Sequence, residues 1–305
     1  MRRSGLLAIA LGVTAAAGAD DFWAHWGDGR AELSGYRLVQ PREGAKRAGS
    51  AVFIFVTEEL SDSLRVKADP GKHPKADLYP VLKLNAIRDF QTGIYDYNLM
   101  TSAFVALKDV NGRPAGAPTK VSFSSQEWCG NVYSQLLFDA GSMRHTLHSY
   151  FDGEADREET VPADAAAVSE DALLLWARGL AAPALAPGES RTVPLVRSLA
   201  VARVAHQPVV VGRATLSRSA SSRPTIVPAG TFETDVFTAA IEGGRTWTIA
   251  VERTAPHRIV SWETSDGERA GLLAAERVAY WNMNGGEFRG AVHRLGLEPR
   301  APRMP

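Results

Sequence analysis

Residues 231–252, TFETDVFTAAIEGGRTWTIAVE, decide the fold class. Thr231 to Ile241 alternates and places Phe232, Thr234, Val236 and Thr238 on one face. Gly243-Gly244 follows, a pair suited to a tight hairpin turn. Trp247, Ile249 and Val251 then share a face, with Thr246, Thr248 and Glu252 opposite. A two-residue period means a strand with one apolar side, and two such runs around a Gly-Gly turn predict an antiparallel hairpin.

The same rhythm extends both ways. Pro256 ends the second run, and Arg258 to Thr264 resumes with Val260 and Trp262 on one side. Asp266-Gly267 marks another tight turn, Leu272 to Trp281 returns, and Glu287 to His293 is expected as a last short strand. Towards the N-terminus, Ala31 to Val39, Ser50 to Val56, Val81 to Ile87, Ile94 to Lys108, Lys120 to Phe138 and Met143 to Phe151 contain extended segments. Ala68 to Lys72 and Asn111-Gly112 are turn signals, the second lengthened by Pro114 and Pro118. In the middle, Ser169-Glu170-Asp171 precedes Ala172 to Leu180 as a capped short helix, and the Pro- and Ala-rich stretch from Ala181 to Gly188 resembles a linker. The chain is therefore expected to be mainly β: an antiparallel meander of roughly ten to fourteen strands, with one short helix. An open or flattened barrel, or two packed β halves, would protect its edges. The expected division is a targeting segment at 1–19, an N-terminal β half at 20–160, helix and linker at 161–190, and a C-terminal β half at 191–305. The two halves could also form one continuous domain.

Arg2 and Arg3, the apolar run Leu6 to Val13 and the small residues Ala17-Gly18-Ala19 have the layout of a cleavable signal peptide. Cleavage would leave Asp20 first and imply export, to the periplasm or beyond. No later run is long and apolar enough for a transmembrane segment in the mature chain. The whole chain carries 34 basic and 34 acidic residues; without Arg2 and Arg3 this becomes 32 against 34, a net −2. Such a balance argues against nucleic acid as a partner, which calls for a basic stripe. A single cysteine, Cys129, excludes an intramolecular disulfide, so the exported fold rests on its core.

Three motifs hold chemistry. Ser124 to Gly130 packs Gln126, Glu127, Trp128 and Cys129 together. A nucleophilic Cys129 would need His145 or His148 as base, with Glu127 or Gln126 orienting it. The plainer reading makes Cys129 a small buried hydrophobe beside Trp128, as free cysteines usually are. His145 and His148 point to opposite faces if they lie on a strand, which argues against a shared metal. Asp89 to Tyr97 places Tyr95 and Tyr97 on one face and Asp96 on the other, a candidate cleft lining or an ordinary amphipathic strand. Phe22, Trp23 and Trp26 are expected to anchor the mature N-terminus by apolar burial, as Tyr280-Trp281 would near the other end; docking of a partner is the functional alternative. The chain has no Gly-x-Ser-x-Gly elbow, no Gly-rich phosphate loop and no His-Glu-x-x-His, so no cofactor and no metal is expected.

Residues 83–101, with Phe90-Gln91-Thr92-Gly93-Ile94-Tyr95-Asp96-Tyr97, and the cluster 124–130 resemble an uncharacterised family of exported bacterial proteins and putative lipoproteins. The resemblance spans most of the mature chain. Some of those proteins bear a septum formation inhibitor label. True septum formation inhibitors are cytoplasmic nucleotide pyrophosphatases with a Ser- and Arg-rich motif after their first strand, which this chain lacks. It also lacks a lipobox cysteine, departing from the lipoprotein members. In architecture alone, the string of strands is similar to the open half-barrels of envelope lipoprotein carriers. These features together lead to the expectation of a non-enzymatic envelope protein that holds an apolar small molecule or an envelope protein on a sheet face. Tyr95, Asp96, Tyr97, Gln126 and Trp128 are its candidate contacts, and a thiol enzyme built on Cys129 is the alternative.

Overall fold

The computed structural model describes residues 17–300. Sixteen strands and three α-helices occur among them. Helix α1 (Ala17–Trp26) leads into β1 (Ala31–Arg42), β2 (Ala45–Ser61), β3 (Leu78–Thr92), β4 (Tyr95–Ala106), β5 (Pro118–Glu127), β6 (Gly130–Phe138), β7 (Ser142–Ser149) and β8 (Arg157–Pro162). The short β9 (Val168–Ser169), helix α2 (Leu173–Ala177), β10 (Ser190–Val196) and helix α3 (Leu199–Ala205) follow. Strands β11 (Val211–Arg218), β12 (Arg223–Val227), β13 (Gly230–Ile241), β14 (Thr246–Glu252), β15 (Ile259–Thr264) and β16 (Arg269–Val278) complete the sheet.

All sixteen strands belong to one sheet. Its order runs β8-β7-β6-β5-β4-β3-β2-β1-β16-β15-β14-β13-β11-β10-β9, with β12 added to β13. The halves on either side of 161–190 are therefore joined: β1 pairs with β16 along a central seam, from Ala31 opposite Val278 to Val39 opposite Arg269. Strands β8 and β9, consecutive in the chain, are the two unjoined edges. The sheet is thus an open barrel. Inward-facing residues from both halves, among them Phe53, Phe123, Leu136, Leu195, Ile249 and Trp262, meet in one core. Helix α2 fills that core. All five of its residues are buried, as an element apolar on every side must be. Ser169 starts this turn by accepting the Asp171 N–H at 3.2 Å.

The targeting segment expected over 1–19 lies outside the described residues except for its last three, with which α1 begins. Phe22 and Trp26 do anchor α1: Trp26 is in the core and Phe22 packs against it, while Trp23 is exposed. At the other end Tyr280 packs beside Leu295, and Trp281 remains exposed.

Several expectations need correction. There are more strands than ten to fourteen and more helices than one; α3 lies in a connection that carries no two-residue rhythm. Glu287 to His293 is not a strand but part of a 3-10 segment, Gly286–Leu295. Both neighbours of β1 are already taken, so this segment crosses the outer face of the sheet and packs Leu295 against Ala31 and Leu33. Gly35 permits that approach, because a Cβ there would lie 2.1 Å from the Leu295 carbonyl oxygen. On β13 the core-facing residues are Phe237, Ala239 and Ile241, set by pairing of Phe237 with Ile249 and Ala239 with Trp247. Thr234 is instead buried beneath β12, where its hydroxyl meets Thr225 at 2.8 Å and donates to the Arg223 carbonyl at 3.0 Å. On β15 a bulge falls at Val260, so Ile259 joins Trp262 on the core side.

Candidate functional site

Several connections gather at one end of the open barrel, among them the β7/β8 segment that carries Phe151 and Glu154. The others are the turns β1/β2, β3/β4, β5/β6, β13/β14 and β15/β16, and the long β10/β11 segment that contains α3. Helix α3 lies across this end and encloses a cleft of about 210 Å³. Ser198 starts the helix by accepting the Val201 N–H, and His206 ends it in a left-handed conformation. Leu99 and Phe123 from the sheet, Leu174 from α2, and Ala200, Val201 and Val204 from α3 supply apolar walls.

Two adjacent carboxylates tether the start of α3 to the start of α2. Asp171 accepts the Ser198 hydroxyl at 2.6 Å and the Leu199 N–H at 3.0 Å. Glu170 accepts the Ser198 N–H at 3.0 Å, Arg245 Nε at 2.8 Å and the Trp247 indole N–H at 3.1 Å. Burial pushes the Asp171 carboxyl up to about 6, and the neighbouring Glu170 adds to this against the two hydrogen bonds. Burial also pushes Glu170 upwards, but Arg245 and its donors hold it below its ordinary value. Arg245 continues to Glu268, which accepts Arg88 Nε at 3.2 Å and the Trp262 indole N–H at 2.8 Å. The far end of α3 is held by Arg203, which donates to Glu127 at 2.9 Å and lies 3.8 Å from the Phe151 ring centroid. His206 also meets Glu154.

The proposed contact residues divide between the two faces. Tyr97 lines the cleft, and Tyr95 continues outward from it: Phe90, Tyr97, Tyr95 and Trp128 form a ladder with centroid spacings of 4.9, 5.9 and 6.1 Å. Burial pushes the Tyr97 hydroxyl up to about 12, and its hydrogen bond to Glu127 adds to this against Arg42. Trp128 is exposed at the tip of the β5/β6 turn. Asp96 is half-buried on the face opposite Tyr97, and Gln126 is exposed outside, opposite Asn98 and Asn131. Those two residues do not join the cleft.

The Cys129 readings fare differently. Cys129 is exposed in the β5/β6 turn, so its expected burial beside Trp128 is wrong: both sit at a hairpin tip, which has no inner face. Nor is it brought to a base. His145 and His148 stand opposite Leu136 and Tyr133 on the next strand, and the nearer register position is roughly 13 Å along the strand from the turn. His145 is buried with its Nε2 2.9 Å from the Ser134 hydroxyl and its Nδ1 2.9 Å from Glu159. His148 is exposed on the other face beside Asp156. Glu127 positions the lid helix, not a thiol.

The site residues that sequence reasoning missed include Arg42, Arg88, Leu99, Glu170, Arg203 and Arg245. One signal was present for part of this set. Arg88 falls between Ala86 and Phe90 at core-facing positions of β3, where a charge needs an internal partner. Its partner comes from β16's approach turn, far along the chain, and no local pattern announces it.

No family model and no curated protein matches this chain. Among solved structures it is similar to a β-barrel-like protein of a domain of unknown function, DUF1849, from Brucella abortus, with 11% identity, 81% of this chain and 98% of that chain covered, and a TM-score of 0.45. No helix among the described residues is long and apolar enough to cross a membrane.

Proposed function

We propose that this chain is a non-enzymatic binding protein that holds a small apolar or amphipathic molecule in the cleft beneath α3. The observation that carries the proposal is the cleft itself: about 210 Å³ of space with aliphatic and aromatic walls, closed by a helix tethered at both ends. An apolar cavity of about 150 Å³ is enough to hold a benzene ring, so this space suits a ring or a medium-length chain. A few converging polar groups beside apolar walls are the usual makeup of a small-molecule site. We further propose that residues 1–19 direct export and are removed, with the periplasm as destination, and that the chain is related to the uncharacterised exported proteins it resembles over 83–101 and 124–130.

The test of the binding proposal is titration with the neutral fluorophore N-phenyl-1-naphthylamine. Saturable one-site enhancement is expected, and Leu99→Trp should abolish it by filling the cleft floor. Val201→Trp, on the lid, does the same from the other wall and guards against misfolding of the first variant. Absence of saturable binding, or binding indifferent to both substitutions in folded protein, overturns the proposal. Export is tested by the mass of the protein recovered from periplasmic extract, which should correspond to a chain starting at Asp20.

A further inference from the structure

Four arginines among the described residues line the cleft, and three of them face buried carboxylates. Arg88 donates to Glu268 at 3.2 Å, Arg245 to Glu170 at 2.8 Å and Arg203 to Glu127 at 2.9 Å; these acceptors are 5%, 0% and 4% exposed. Arg42 differs. Its only ion-pair partner among the described residues is Glu43, the next residue in the turn, 3.4 Å from Nε and 56% exposed, while the buried Glu127 acts on it from beyond ion-pair distance and through the shared Tyr97 hydroxyl. An ion pair that open to water is screened and contributes little. The remaining contact of the guanidinium is neutral: Nη2 donates to the Tyr97 hydroxyl at 3.3 Å, and the group lies 5.1 Å from the Tyr97 ring centroid.

We propose that Arg42 recognises the head group of an anionic amphiphile, a molecule with one carboxylate on a medium-length apolar tail. This rests on the reading of the cleft as a ligand site and adds the chemical class of its occupant. The tail lies against Leu99, Phe123 and Val201, and the carboxylate meets the Arg42 guanidinium on the turn side of the cleft. A neutral occupant would offer Arg42 only an uncharged acceptor, and a cationic one would place a like charge beside it. The planar guanidinium pairs a carboxylate through two parallel N–H donors, and stacking on a ring limits the rotamer freedom it must give up. Charge-assisted hydrogen bonds favour the anionic head by about tenfold or more over a neutral head on the same tail.

The experiment compares decanoate with 1-decanol as competitors of N-phenyl-1-naphthylamine on the full chain near pH 7.5. Decanoate should displace the probe at roughly tenfold lower concentration than decanol. Arg42→Gln should erase that preference, bringing the displacing concentrations of decanoate and decanol together, and Arg42→Lys should restore part of it. Circular dichroism checks that each variant is folded. Equal displacement by the two competitors, or a preference that survives in Arg42→Gln, overturns the proposal while leaving the cleft as a site. Failure of the probe and of both competitors to bind overturns the cleft reading and this proposal together.

Discussion

Replacing Arg178 by methionine removes one charge from a buried pair and keeps an apolar stem over the Phe55 ring, whose centroid lies 4.3 Å from the guanidinium carbon. Arg178 follows α2 and holds Glu32 of β1 through two hydrogen bonds of 2.7 and 3.0 Å. Both side chains are nearly sealed, at 1% and 2% exposure. Burial pushes the Glu32 carboxyl up, but Arg178, with help from His25, brings it from 4.5 down to about 2. That depression corresponds to about 3 kcal/mol, and removing one member of a buried pair costs about 3–5 kcal/mol. The sign follows from the direction: a depressed carboxylate adds stability in full above 4.5 and loses it as pH falls towards 2. Without Arg178, burial dominates and the carboxyl moves up, so acid then relieves the variant. Urea denaturation followed by tryptophan fluorescence should show a loss of about 3–5 kcal/mol near pH 7, shrinking markedly near pH 3. A loss below about 1 kcal/mol near pH 7, or one of equal size at both pH values, refutes the reasoning.

Asp171→Asn tests the carboxyl that burial raises to about 6: the contribution of Asp171 to stability should fall as pH rises from 3.8 to about 6 and level off above, and the variant's pH profile should lack that component. The two pH profiles should diverge by up to about 3 kcal/mol across this range, and parallel profiles would contradict the assignment. Gly35→Ala places a Cβ 2.1 Å from the Leu295 carbonyl, so the 3-10 segment must shift; a loss of about 1–3 kcal/mol and faster proteolysis near Gly290 are expected. Cys129, exposed in its turn, should be alkylated by iodoacetamide in native protein, and Cys129→Ser should change stability by less than about 0.5 kcal/mol and leave probe binding intact.

Strand content was legible where neighbours in sequence are also neighbours in space. Trp247, Ile249 and Val251 face the core as their spacing implies, because a hairpin with β13 sets their register. The antiparallel meander and the turn started by Ser169 follow from equally local signals, whereas the choice between an open barrel and two packed halves did not. The pairing of β1 with β16 was not legible, since nothing in either strand names the other. Bulges escaped for a related reason: at Val260 one extra residue changes the face of all that follows, and only the partner strand dictates it. The cleft was half legible. Tyr97 was found through its aromatic neighbours, but its walls come from β5, α2 and α3, elements brought together by the pair Glu170 and Asp171. Cys129 was misjudged because residue type suggested burial, whereas the Gly130 that follows it placed the residue at a hairpin tip.

The β1–β16 seam also has a consequence in time. Strands β1 to β8 pair each with its predecessor, so that arm can zip as it is synthesised. Its starting strand nevertheless waits, with one flank bare, for the last strand to arrive. Closing that long loop is an entropic cost met only once the whole chain is available, which makes the seam a late and slow step. Until then the inner flank of β1 is an open template for strand addition, and a chain cut short before β16 would keep it open permanently.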